Sequence, residues 1–246
     1  MDKHIFYINR DAEDINSILF FCNWKLAEIF PNVHDIIIDG EKTEWIVKEY
    51  KLQKYCKEEA TILEKLKNIK GVPKILWAHF SDKLGYVIIS KAKGMDLFEY
   101  MKKNGTLNED DVKIISKKFL NVLRAIHSKN IIHKDIKPEN IIYDSESKDI
   151  TLIDFEGKES ELFKSPEQND GKKLTKKTDI WSAGITIYSL LRGKTPFKNL
   201  KDYSDKEIPM KKGWSESLKN FLRCMLEKDI DLRYTAEELL RHEWLI

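Results

Sequence analysis

Glycine is the first shortage in this 246-residue chain: there are 10, and only Gly40 precedes Lys48. No Gly-x-Gly-x-x-Gly loop, whose backbone N–H groups cradle phosphates, fits ahead of that lysine. Cysteine is equally thin. Cys22, Cys56 and Cys224 are odd in number and widely spaced, which excludes a disulfide framework and a metal-ligand spacing and suits a reducing compartment. Charge of one sign is missing too. Lys and Arg total 43 against 41 Asp and Glu, a net of +2, too little for a nucleic-acid footprint. No apolar run reaches the ~18 residues a bilayer demands. The start is broken by Arg10, Asp11, Glu13 and Asp14, unlike a secretory signal. Repeats and low-complexity linkers are absent. The expectation is a soluble, intracellular protein whose 41% hydrophobic residues suffice for a core.

What is present falls into two halves. The first reads mainly as strands: 34–39 and 44–51 around a hairpin turn at 39–43, then 74–80 and 85–90. Between them, 55–68 carries a helical stripe of Ala60, Leu63 and Leu66, stopped by Gly71-Val72-Pro73. After Gly94 the period becomes helical. A short helix spans 96–103. A long one spans 108–129, with Val112, Ile115, Phe119, Val122, Leu123 and Ile126 on one face. Short strands at 140–143 and 150–154 follow, then helices at 178–193, 215–226 and 235–241. Ile15, Ile18, Leu19 and Cys22 have helical spacing, so 11–22 reads as a further helix extending the core.

The densest information is His133-Lys134-Asp135-Ile136-Lys137-Pro138-Glu139-Asn140, followed by Asp154-Phe155. Six of these residues (His133, Asp135, Lys137, Pro138, Glu139, Asn140) would coincide by accident with odds on the order of 10⁻⁵. The run resembles the catalytic loop of eukaryotic-type protein kinases, in its serine/threonine form, since tyrosine kinases usually carry arginine near the lysine position. The resemblance covers nearly the whole chain from about Trp24. It implies an α+β, two-lobed kinase-like fold: a small antiparallel β-sheet lobe with one helix and a larger, mainly helical lobe. A single domain 1–246 would divide into an extension (1–23), a small lobe (24–90), a hinge (91–94) and a large lobe (95–246). The end, through Trp244-Leu245, resembles calmodulin-dependent and checkpoint-type kinase domains.

The same resemblance implies ATP and Mg²⁺ as cofactors and a protein substrate. Asp135 would accept or orient the substrate hydroxyl proton, and Lys137 would neutralise charge on the transferring phosphoryl group. Asn140 and Asp154 would ligate Mg²⁺. Lys48, at the end of Trp45-Ile46-Val47-Lys48, would bridge the nucleotide's phosphates and a helix glutamate, Glu59, with Glu58 as the off-register rival. Ile46, Ile89 and Ile142 would line the base site, with Ser90, Lys91 and Ala92 as a hinge meeting the base through backbone. Asp96 is a candidate for the ribose hydroxyls, with a helix N-terminal acid as an equal alternative. Leu63, His133 and Phe155 would stack as an apolar spine. Ser165-Pro166-Glu167 would pair with Arg233, and Asp179 would brace the catalytic-loop backbone.

Three departures stand against that pattern. The glycine-rich loop is missing, with Asn32, Val33 and His34 in its place. Glu156 precedes Gly157, where it either repels phosphate, adds a metal ligand or faces solvent. Only thirteen positions separate Asp154 from Glu167, with Ser160 and Ser165 as the hydroxyls between, and Lys134 replaces a phosphate-reading arginine. Two functions therefore stand: an active serine/threonine protein kinase, or a pseudokinase that binds and regulates a partner kinase or its substrate. Phosphorylation of a small molecule is disfavoured by Pro138-Glu139 and Ser165-Pro166-Glu167.

Overall fold

The computed structural model describes residues 24–80, 84–156 and 160–246; the helix expected at 11–22 lies outside them. The chain forms two compact units. One comprises the described residues up to Lys67 with Pro73–Ala92, and the other comprises Asn68–Val72 with Lys93–Ile246.

The first unit is a five-stranded antiparallel sheet, β1 (Trp24–Phe30), β2 (Val33–Ile38), β3 (Glu41–Tyr50), β4 (Ile75–Phe80) and β5 (Gly85–Ser90), in the order β1-β2-β3-β5-β4. Strand β1 has no counterpart in the sequence reading, which begins its strands at residue 34. Its partner is β2, the next strand: Leu26 stands opposite Ile36 and packs on a core of Ile36, Ile38, Val47, Trp77 and Ile88. The β2–β3 turn is tighter than expected. Asp39 (φ 51) and Gly40 (φ 87) alone make it, both left-handed, as the twist of a two-residue hairpin requires.

Helix α1 (Gln53–Leu66) buries Cys56, Glu59, Ala60, Leu63 and Leu66, residues three or four apart. It lies against the sheet face opposite that core, because Lys48 reaches it from β3 while the neighbouring Val47 joins the core.

The second unit opens with β6 (Met95–Asp96) and α2 (Leu97–Asn104). Helix α3 (Glu109–Ser128) is started by Asn108, whose side chain accepts the Asp111 N–H at 2.8 Å. It buries the predicted stripe together with Leu120. A sheet of β6, β7 (Ile141–Asp144) and β8 (Asp149–Leu152) follows. Strand β8 ends before the predicted residue 154 because Asp154 adopts φ 66, outside extended space. Asn140 lies not in a strand but in a 3₁₀ turn, Pro138–Asn140, where proline's fixed φ starts the turn.

The rest is helical: α4 (Pro166–Asn169), α5 (Lys176–Arg192), α6 (Leu200–Asp205), α7 (Glu216–Met225) and α8 (Ala236–Leu239). Helix α5 is buried from Thr178 to Leu191 on every side, the behaviour of a central core helix. A capping box at Thr175 and Thr178 starts it and Gly193, at φ 71, stops it. Among the described residues no helix is long and apolar enough to cross a membrane.

Candidate active site

In the first unit, Lys48 on β3 donates to both oxygens of Glu59 on α1, at 3.0 and 2.8 Å. Glu59 is buried, whereas Glu58 is half-exposed, so the helix register selects Glu59 over its rival. An ammonium held by two oxygens is fixed in position as a point charge suited to phosphate.

The place of a glycine-rich loop is taken by a two-residue turn. Phe30 stands opposite Val33, leaving Pro31 and Asn32 at the tip, with Asn32 at φ 63. Proline at the first central position and a left-handed residue at the second is type II turn chemistry. The tip is tied down, because the Asn32 carbonyl accepts the Glu49 N–H at 2.8 Å.

Ile46 and Ile89 stand opposite each other on β3 and β5. Two amides of the expected hinge are engaged within the fold. The Ser90 N–H donates to the Lys74 carbonyl at 2.8 Å and the Lys91 N–H to the Glu44 carbonyl at 2.7 Å. Those two amides are engaged in extending the sheet and do not face a base. The Lys91 side chain reaches the buried carboxylate of Asp35, a residue the sequence reading passed over because an acid within β-alternation reads as a surface position.

In the second unit, the loop between α3 and β7 gathers the catalytic candidates. Lys137 Nζ lies 3.1 Å from Asp135 Oδ2 and donates to Ser160 Oγ at 2.8 Å. The Asn140 side-chain amide donates to the Asp135 carbonyl at 2.8 Å and to Asp135 Oδ2 at 3.0 Å. Asp135 Oδ1 is buried and accepts no hydrogen bond, so one carboxylate oxygen has no donor within the fold.

Asn140 and Asp154 are brought near one another by the backbone, since Ile153 N–H donates to the Asn140 carbonyl at 3.0 Å. With the Asn140 nitrogen engaged by Asp135, its oxygen is the atom left for a cation. One carboxylate and one amide oxygen suit Mg²⁺, which is held by few protein ligands together with phosphates. Among the described residues no cluster of three or more His, Cys, Asp or Glu side chains forms a self-contained metal centre.

The loop is braced from beneath. Asp179 on α5 accepts the His133 N–H at 2.9 Å, the Lys134 N–H at 2.9 Å and a contact from His127 Nε2 at 2.8 Å. Lys134 is thereby held at φ 77, a conformation that costs energy for a non-glycine residue. The His133 ring stacks on Phe155, 4.7 Å between centroids. Its Nε2 donates to the Ile153 carbonyl at 2.9 Å while Nδ1 accepts the Asp135 N–H at 3.3 Å, the pattern of a neutral imidazole. Burial pushes its pKa down, against the nearby carboxylates, in keeping with a neutral ring that positions backbone.

Asp96 caps α2 by accepting the Glu99 N–H at 2.8 Å, and it stands opposite Ile142 in the small sheet. The helix-capping alternative for Asp96 is thus realised. The Arg233 guanidinium grips both Glu167 oxygens at 2.7 and 3.0 Å and lies 5.0 Å from the Trp181 ring.

The sequence matches the family model of the protein kinase domain over residues 37–245. A probable myosin light chain kinase of Dictyostelium discoideum is 29% identical over 219 residues, 78% of this chain and 44% of its own length. A calcium/calmodulin-dependent protein kinase of Emericella nidulans is 30% identical over 218 residues, 76% of this chain and 51% of its own. The chain spans about half the length of these curated relatives.

Proposed function

The chain belongs to the protein kinase family, and on that premise we propose that it transfers the γ-phosphoryl group of ATP to a serine or threonine hydroxyl of a protein. The observation that carries this reading is the Asp135, Lys137 and Asn140 arrangement, in which one Asp135 oxygen is held by Lys137 and Asn140 and the other accepts no hydrogen bond. Phosphoryl transfer asks the protein mainly for positioning and charge stabilisation. Asp135 orients the acceptor hydroxyl and takes its proton. Lys137 neutralises charge as the phosphoryl group moves, and Lys48, fixed by Glu59, holds phosphate oxygens. Asn140 and Asp154 would hold Mg²⁺, which when bound supplies Lewis-acid neutralisation of the phosphates. Lys137 in its Asp-x-Lys spacing supports hydroxyl amino acids as acceptors, and the two relatives named as protein kinases support a protein as the substrate.

The tied-down Pro31–Asn32 turn favours a second reading, a pseudokinase that acts by binding. Both are tested by radiolabelled phosphate transfer with wild type and Asp135→Asn. Transfer by wild type alone establishes the enzyme. Equal labelling by both proteins assigns the activity to a contaminant, and no labelling favours the binding module. Melting with Mg-ATP separates binding from catalysis. Nucleotide at ~100 times its dissociation constant adds ~2.7 kcal/mol, a rise of roughly 5–10 °C for a chain of this size.

A further inference from the structure

Asp35 is a buried charge that the proposed chemistry leaves unused. It is 0% exposed and stands on β2 opposite Ile46, which on its other side stands opposite Ile89. Directly opposed residues of antiparallel strands project to one face. Asp35, Ile46 and Ile89 therefore form a row across three strands, and Lys48, two residues beyond Ile46, shares their face. Two lysines close on the carboxylate: Lys91 Nζ on Oδ1 at 2.5 Å and Lys42 Nζ on Oδ2 at 2.8 Å.

The reach of Lys91 matters most. Its backbone is fixed on the β5 side of β3, through the N–H bond to the Glu44 carbonyl. Asp35 lies on β2, on the other side of β3. The Lys91 stem must therefore cross β3 on the face that carries Ile46. We propose that the Lys91–Asp35 ion pair is a strap over the base-facing side of this sheet, which weakens purine binding and sets the nucleotide affinity of the chain.

The inference rests on the reading of Ile46 and Ile89 as the seat of the base. A purine stacking on Ile46 has to displace the stem and part the pair. The lysine side chains, 39% and 63% exposed, return to water easily, but the carboxylate is left desolvated. Burial pushes the Asp35 carboxyl up, yet the two lysines outweigh it and hold it below its ordinary value, in keeping with a charged, closed pair.

The test measures binding of adenosine, an uncharged probe insensitive to the altered net charge, by calorimetry on residues 1–246. Mg-ADP is measured alongside. Asp35→Val and Lys91→Ala should each tighten adenosine binding by roughly fivefold or more, since the apparent dissociation constant falls as the open fraction rises. Asp35→Asn, which keeps the shape, should follow Asp35→Val, and melting curves identify any variant that fails to fold. Binding by wild type that the folded variants leave unchanged, or weaken, overturns the strap while the nucleotide reading stands. If neither wild type nor variants bind adenosine or Mg-ADP, the reading of the base site falls and the strap with it.

Discussion

The carboxylate of Asp179 holds the backbone of Lys134 in a left-handed conformation: Oδ1 accepts the Lys134 N–H at 2.9 Å, and Oδ2 takes the His133 N–H at the same distance. Asp179→Ala removes the acceptor of two amides at the heart of the loop. At about 1–3 kcal/mol for each buried donor left unsatisfied, the expected loss is roughly 2–6 kcal/mol. Denaturant unfolding measures it, and a change below 1 kcal/mol would show that water or another group replaces the brace.

Lys48→Met should act in two ways. Removing one partner of a buried ion pair destabilises by about 3–5 kcal/mol, and the phosphates lose their fixed cation. Melting with and without Mg-ATP reads both effects. The unliganded melting temperature falls, and the nucleotide-induced rise shrinks. A rise equal to that of wild type would remove Lys48 from the phosphate site.

Stability should fall with acidity in two stages. Burial lowers the pKa of His133 and of His242 from 6.5, so the unfolded chain takes up protons first. Their contribution is complete above pH 6.5 and is lost as the pH drops through the folded values. Glu167 follows. Burial pushes its carboxyl up, but the Arg233 guanidinium outweighs that and holds it below 4.5; its contribution is present above pH 4.5 and is lost as the pH falls through the folded value. Melting temperatures from pH 8 to pH 3 test this, and His133→Phe should diminish the first stage alone. An unchanged first stage in that variant would mean His133 is already accessible to protons.

Gly94→Ala should be damaging despite its small size. Gly94 sits at φ 119, and an added Cβ would meet the Tyr143 carbonyl oxygen at 2.3 Å, its carbon at 2.6 Å and the Asp144 nitrogen at 2.8 Å. Backbone cannot step aside as a side chain can. Strain and overpacking together predict a loss of about 2–5 kcal/mol, visible as a lower unfolding midpoint. A loss under 1 kcal/mol would show that the segment shifts freely.

Much of this was legible beforehand. The stripe of Val112, Ile115, Phe119, Leu123 and Ile126 is local and periodic, so α3 could be placed to within a residue. Strand β1 was missed, because Trp24–Phe30 lacks a clear period-2 pattern of its own and takes its register from pairing with β2 across the Pro31–Asn32 turn. The early start of β3 at Glu41 followed from two left-handed residues sufficing for the turn. Glu59 was favoured over Glu58 from spacing, and the helix register bore that out.

Sequence alone determined which groups the loop brings together, because Asp135, Lys137 and Asn140 lie within a few residues and their types leave few arrangements open. Tertiary structure decided a partnership that no motif announces: Asp35 with Lys91, 56 residues away along the chain. That pair depends on strand register and on which face a side chain takes. A one-residue slip reverses the face, and only the packing of the whole unit fixes it.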